Sequence, residues 1–392
     1  MTRSTFILCL VALGSLGPLP LVAETKTSAN GNTTTVLTET TRKVADQAAV
    51  ALPKATSTRL LKALGQRVIV PLYQRADKTA TALNQQVIHF CNNPTEANLQ
   101  SVRRHWSHAL SAWESSEIAL FGPALRKQRD LHIYFRPVKK RVIKKLLRQE
   151  TPISIDNLEF AGVGAQGFAS MEYLLFDREK SDADIVAQFA ADDSRHCQHL
   201  LAISTLLKRD IAAILHEWNE GYVTALTQTG GDTTAFANDT QALEMVYGKI
   251  DQLSEAIINK LRHALAKNAQ LAGKDPKREN TNAYKLEAWR SGHTLANIHA
   301  NLYGIDLALA KSGIFSWLEQ SGNGDLVKQY QSIREAINKI DFPSDDLFQQ
   351  IEDKQLEAGD ALFDQVRALS KVVQAIAAKL GIQLGFNDSD GD

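Results

Sequence analysis

A glutamate on an apolar helical stripe must be protonated, paired or bound to a cation, because an unpaired buried carboxylate is costly. Three acids raise that question. Glu117 shares the face of Trp106, Leu110, Trp113 and Phe121. Glu172 stands four residues from both Phe168 and Phe176 in the run FASMEYLLF. Glu287 opens the segment Glu287-Ala288-Trp289-Arg290-Ser291-Gly292. Carboxylates are hard ligands suited to a hard cation, so the three read as a ligand set for such a cation. His293 continues the stripe Leu286, Trp289, Ala296, Ala300, Tyr303 and Leu307 and is an optional further ligand. Arg290 can hold an anion bidentately, such as a chelator carboxylate, or it can pair with Glu287 or Glu114 and merely cross-link helices. Trp113 and Trp289 would wall the cleft. A plainer reading stands beside each: a paired acid at a stripe edge, a satisfied core histidine.

Other groups carry less. His196 and His199 have the i, i+3 spacing of helix-borne metal ligands, but no acid accompanies them as in HExxH. His105 and His108 merely flank Trp106. The run Arg136 to Arg148 reads as a short helix with a solvated basic face, with anionic-surface binding as the other option. The ending Asn387 to Asp392 is calcium-like but stops before a twelve-residue loop can form. Neither a phosphate-binding loop, a dinucleotide fingerprint nor a nucleophile elbow occurs.

The elements that must position these residues follow from punctuation. The 392 residues carry only ten prolines, with none between Pro152 and Pro276 or between Pro276 and Pro343. Such gaps favour long helices over turn-rich strands. Apolar residues recur at three or four from near Thr58 through Val87, where Pro71 should kink the helix. Asn93-Pro94-Thr95-Glu96 predicts a helix start, with Asn93 as its cap, and that helix stops at Gly122-Pro123. Further helices are expected over about 194–226, from Asn238, over 282–310, over 325–339 and over 344–380. Leu110 to Ser115 matches Leu286 to Ser291 at four of six positions. With the same helix order, this echo predicts an all-α chain of two similar four-helix bundles from an internal duplication. The expected bounds are a signal peptide over 1–23, a flexible leader over 24–57, and bundles over 58–228 and 235–392.

Charge and cysteines bound the class. Lys and Arg number 44 against 44 Asp and Glu, a balance that excludes a non-specific nucleic-acid binder. Arg3, the apolar run to Leu13 and Leu21-Val22-Ala23 form an export signal. No other apolar run approaches ~18 residues, so no transmembrane segment is expected. Cys9 lies inside the signal, which leaves Cys91 and Cys197 for one structural disulfide in an oxidising compartment.

Together these motifs resemble the imelysin-like proteins, in particular the periplasmic or lipoprotein branch linked to iron uptake. The carriers are Trp106 to Pro123 (W-x6-W-x3-E-x3-F-G-P), Gly167 to Phe176, Glu287 to Gly292, and Leu384 to Asp392, all in order over about 58–392. Cys91 and Cys197 also fall where that branch places cysteines. The resemblance implies two helical bundles with a site where they meet, lined in part by Gly167, and a role in iron uptake or homeostasis with envelope transport proteins as partners. The family's G-x-H-x-x-E motif implies a metallopeptidase, but here only Gly167 and Glu172 match and Ala169 replaces the histidine. A catalytic zinc normally keeps three protein ligands, so the leading expectation is a periplasmic, non-catalytic protein binding a metal or metal chelate. A metallopeptidase and a partner- or polysaccharide-docking scaffold are the alternatives.

Overall fold

The computed structural model describes residues 52–190, 194–231, 235–267, 280–382 and 384, and all regular structure among them is helical. The signal segment, the leader up to residue 51 and the acidic tail over 387–392 lie outside the described residues, as does most of the Gly-Asp-Thr boundary at 232–234.

Helix starts at Lys54, four residues earlier than the apolar periodicity suggests. α1 (Lys54–Ala63) runs through a π turn (Leu64–Ile69) into α2 (Val70–Asn92). Pro71 explains that turn. It lacks an N–H, and its ring crowds the carbonyl four residues back, so the chain widens before it, with Val70 N–H reaching Gly65 O. α3 (Glu96–Ser116) is capped by Thr95, whose hydroxyl accepts from Asn98 N–H at 3.2 Å. The cap is thus Thr95, two residues later than the expected Asn93, and Pro94 lies before the helix rather than at its first position. Asn93 instead accepts from the Asn98 side chain through its carbonyl. A single 3-10 turn (Glu117–Ala119) ends this stretch, so Phe121 lies beyond the helix in extended backbone.

The middle of the chain is a string of short helices: α4 (Arg129–Ile133), α5 (Lys140–Arg148), α6 (Ile155–Ala161), α7 (Gly167–Leu175) and α8 (Asp182–Phe189). α9 (Arg195–Glu217) follows, then a π turn (Trp218–Tyr222) and α10 (Val223–Thr227). α2, α3 and α9 pack together, with α7 against α9 and α3. Cys91, in the last turn of α2, is disulfide-bonded to Cys197, in the first turn of α9, with Cα atoms 5.5 Å apart.

In the second half, α11 (Asp239–Ala264) begins at the Asn238 cap, which accepts from Gln241 N–H at 2.9 Å. α12 (Thr294–Lys311) lies along α3, with α13 (Ile314–Gln320) and α14 (Gly324–Asn338) after it. Gly304 makes the contact with α3 possible: a methyl group there would collide with the Ser115 carbonyl.

Two expected helices are shorter than their periodicity. The one expected over 282–310 opens only at Thr294, because Ala288 and Gly292 take left-handed backbone and Thr294 Oγ1 donates to Glu287 O at 2.6 Å. The echoed hexamers therefore have different structures, helix over 110–115 and turn over 286–291. The one expected over 344–380 is split by Lys354, also left-handed, into α15 (Leu347–Glu352) and α16 (Glu357–Lys379). α16 packs on α11 and α14.

Candidate functional site

Arg136 belongs to the non-helical link between α4 and α5, and, although its side chain stays one-third exposed, it reaches back onto the protein rather than out to solvent as the basic run suggests. Its guanidinium lies 4.4 Å from the Tyr134 ring centre and reaches three acids: Glu114 at 3.8 Å, Glu117 at 3.7 Å, and Glu287 in direct ion-pair contact. Lys260 of α11 approaches the same Glu287 oxygen at 2.6 Å. Asn301 of α12 donates to the Glu114 carbonyl at 2.9 Å, to Glu114 Oε2 at 2.8 Å and to Glu117 Oε2 at 3.4 Å. Five chain segments thus meet in one buried polar cluster.

Three carboxylates against two cations leave an excess negative charge, and burial makes that excess costly. Desolvation, and then repulsion from Glu117, push the Glu114 carboxyl up to about 7. Its Oε1 has no hydrogen-bond partner. Desolvation, and then the neighbouring Arg136, bring the Lys260 ammonium down to about 8.

Glu172 sits apart from this cluster. Its Oε1 accepts from Ser291 N–H at 3.0 Å and from Ser291 Oγ at 2.9 Å. Burial still raises its carboxyl above the usual range, against the pull of those bonds and of Arg290. Arg290 lies 4.1 Å from the Trp289 ring centre and 5.5 Å from that of Tyr173. Trp289 stacks on Phe348 at 5.3 Å and meets Tyr284 edge-on at 4.7 Å.

These groups border a cleft of 660 Å³. Glu172, Glu287, Arg290 and Trp289 line it, as expected, together with Arg136, Lys140, Lys260, Lys285 and Tyr284. Five cations and two acids face this space, and both acids already have partners. Ala169, at the position of the family's histidine, lines it too.

Other expected residues lie elsewhere. Trp113 does not wall the cleft; it is buried in the core beside Tyr73, at 6.5 Å between ring centres. Gly167 does not line it either. Its left-handed backbone abuts the carbonyls of His132 and Ile133, so it lets α7 start hard against α4. His293 packs on α3, with Nε2 3.1 Å from Ser111 Oγ and its ring edge-on to Trp106, and burial holds it down at about 4. Glu117 joins Glu287 only through Arg136, not at a shared ligand centre. The minor candidates part as well: His199 Nε2 lies 2.9 Å from the Ala165 carbonyl, while His196 packs on Phe189. Among the described residues no group of three or more His, Cys, Asp or Glu could hold a metal ion. The carboxylate triad therefore fails as a bare-metal site, because each acid is turned toward a protein partner.

Sequence reasoning missed four groups whose signals were present. Glu114 precedes Glu117 by three, the spacing of one helix face. Lys260 continues the stripe Ile250, Leu253, Ile257 of α11. Asn301 lies one turn after Asn297, and both are fully buried. Ser291 is the fifth residue of the Glu287 motif.

The imelysin profile (peptidase M75) matches residues 69–373. Iron-regulated protein A of Synechococcus elongatus is 25% identical over 244 residues, which cover 61% of this chain and 60% of that relative's length. An imelysin-like protein from Psychrobacter arcticum 273-4 superimposes with a TM-score of 0.69 at 20% identity, covering 86% of this chain and 99% of that one. A protein from Parabacteroides distasonis, named as a putative iron-regulated protein A precursor, gives 0.68 at 18% identity, covering 85% and 97%. Among the described residues no helix is long and apolar enough to cross a membrane.

Proposed function

The chain belongs to the imelysin family, and from that premise we propose that it is an exported, non-catalytic protein of iron uptake or homeostasis. It works in the periplasm and receives iron as an anionic chelate in the cleft beside α7. The names of its relatives support the iron link. The N-terminal apolar segment over residues 6–13 supports export.

One observation carries the choice of chelate over bare ion. Glu287 is held by Arg136 and Lys260, and Glu172 by Ser291, so neither carboxylate is spare. Lys140, Lys285 and Arg290 line the same cleft without an ion pair to an acid among the described residues. Such a wall attracts carboxylate or hydroxamate oxygens of a chelate rather than a metal cation. Arg290 presents a planar fork, and the Trp289–Tyr284 wall offers an apolar face to the chelate's carbon skeleton. Ala169, in the place of the family's histidine, supports the absence of peptide hydrolysis.

Calorimetric titration of the chelator-stripped protein tests this, with ferric citrate, citrate alone and a ferrous salt as probes. Ferric citrate should bind, and Arg290→Ala should weaken it at least about tenfold, the loss of one charge-assisted contact. Binding of the ferrous salt alone, abolished by Glu172→Ala, would overturn the chelate reading. Binding of none of the three would remove the cleft as an iron site.

A further inference from the structure

We propose that the exposed face of α5, together with Phe160, docks this protein onto an anionic lipid surface. The nine residues of α5, KRVIKKLLR, contain five cations and no acid. Lys140, Lys144 and Arg148 follow one another at four residues, and Arg141 and Lys145 form a second stripe beside them. All five are exposed, while Ile143 and Leu146 are buried and fix the helix to the body of the protein. None of the five pairs with an acid among the described residues. Elsewhere Arg103, Arg126, Arg178 and Arg334 each hold a carboxylate.

Phe160 gives the patch its second component. It is the most exposed large apolar side chain among the described residues, at 93% of its full accessible surface. It stands at the end of α6, across a groove of 940 Å³ from Arg141 and Lys145. Val142, Pro152 and Ala161 give that groove an apolar floor, and Glu150 is the one acid among the described residues that line it. An exposed phenyl ring has no stabilising role in the fold here, and it costs solubility.

Cations in a row beside a projecting aromatic ring match the interfacial mode of membrane binding. The cations meet phosphate headgroups and the ring enters the boundary beneath them. Three of the five cations are lysines. Lysine is depleted from protein–protein interfaces, where fixed partners favour arginine and ordered side chains. A lysine ammonium on a flexible stem suits headgroups that move laterally and present no fixed geometry. The observations therefore favour a lipid surface over an acidic protein. Lys140 also lines the cleft, so docking through α5 brings the cleft's edge near the surface. The docking inference does not depend on what the cleft binds.

Co-sedimentation of the purified full chain with vesicles tests it, using phosphatidylglycerol–phosphatidylcholine mixtures against pure phosphatidylcholine. Binding is expected only to the anionic vesicles, and it should vanish at about 1 M salt, where the screening length is about 3 Å. Lys144→Glu/Lys145→Glu should lower the partition at least about thirtyfold, and Phe160→Ala should lower it several-fold at unchanged circular dichroism. Lys144→Gln/Lys145→Gln gives a milder second variant, with a loss of about tenfold or more. Absence of binding to anionic vesicles, equal binding to neutral ones, or undiminished binding by both lysine variants would overturn the proposal. Capture of an acidic soluble protein without vesicle binding would overturn it as well.

Discussion

Replacing Glu114 by Gln keeps the shape of the side chain and removes its charge. The substituted amide can still accept from Asn301 through its one oxygen, and nothing else in the cluster must move. The folded protein holds the Glu114 carboxyl at about 7, against 4.5 when solvated. An acid raised on folding binds its proton more tightly in the native state, so stability is lost as pH rises from the unfolded value through the folded one. At about 1.4 kcal/mol per pH unit, the full loss is about 3 kcal/mol, and most of it falls between pH 5 and pH 8. The same window contains the ordinary titration of His199 and His293, both held down at about 4 by burial, whose effect has the opposite sign. They resist protonation when folded, so stability is lost as pH falls below their ordinary value. Lys260, brought down to about 8, adds its own change mostly above the window. The wild-type curve is therefore a sum, and the informative quantity is the difference between variant and wild type. Urea unfolding at pH 5, 6, 7 and 8 measures it. Relative to wild type, Glu114→Gln should gain about 2–3 kcal/mol between the two ends. A difference that is flat with pH, or one that falls, would refute the assignment of the shared proton to Glu114.

Two further expectations concern the scaffold. Gly304→Ala should cost about 1–3 kcal/mol, because its methyl group meets the Ser115 carbonyl and α12 must lift from α3; urea midpoints give the number, and an unchanged midpoint would mean that the helices can separate freely. Reducing the Cys91–Cys197 bond, or replacing both cysteines by Ser, releases a loop spanned by a sequence separation of 106 and should cost up to about 4 kcal/mol on the chain-entropy account; melting with and without reductant measures it.

The helical class was legible because it rests on spacing and proline gaps, which local physics obeys. The disulfide was legible from the two cysteines, Cys91 and Cys197, left outside the N-terminal apolar segment. The cleft was legible only in part. Glu172 and Trp289 were found because each interrupts or continues an apolar stripe, and Glu287 and Arg290 because they stand in the same short motif as Trp289. Arg136 was hidden because a helix-period argument assigns a basic run to solvent, whereas this residue precedes the helix and turns inward. Trp113 and Trp289 occupy matching places in a repeated hexamer, yet Ala288, Gly292 and the Thr294 bond to Glu287 hold the second copy in turns. Identical letters followed different backbones, so the two tryptophans face a core and a cleft respectively.

The Arg136 cluster has a consequence for how the chain can be divided. Glu114 and Glu117 come from the first half, with Arg136 beside them; Lys260, Glu287 and Asn301 come from the second. Glu287 of the second half is thus held by Arg136 of the first, and Glu114 and Glu117 of the first by Asn301 of the second. A fragment ending near residue 228 would carry two buried acids whose amide cover had gone. A fragment beginning near 235 would expose Glu287 without its arginine. The cluster therefore ties the two halves of the chain together through charge as well as packing.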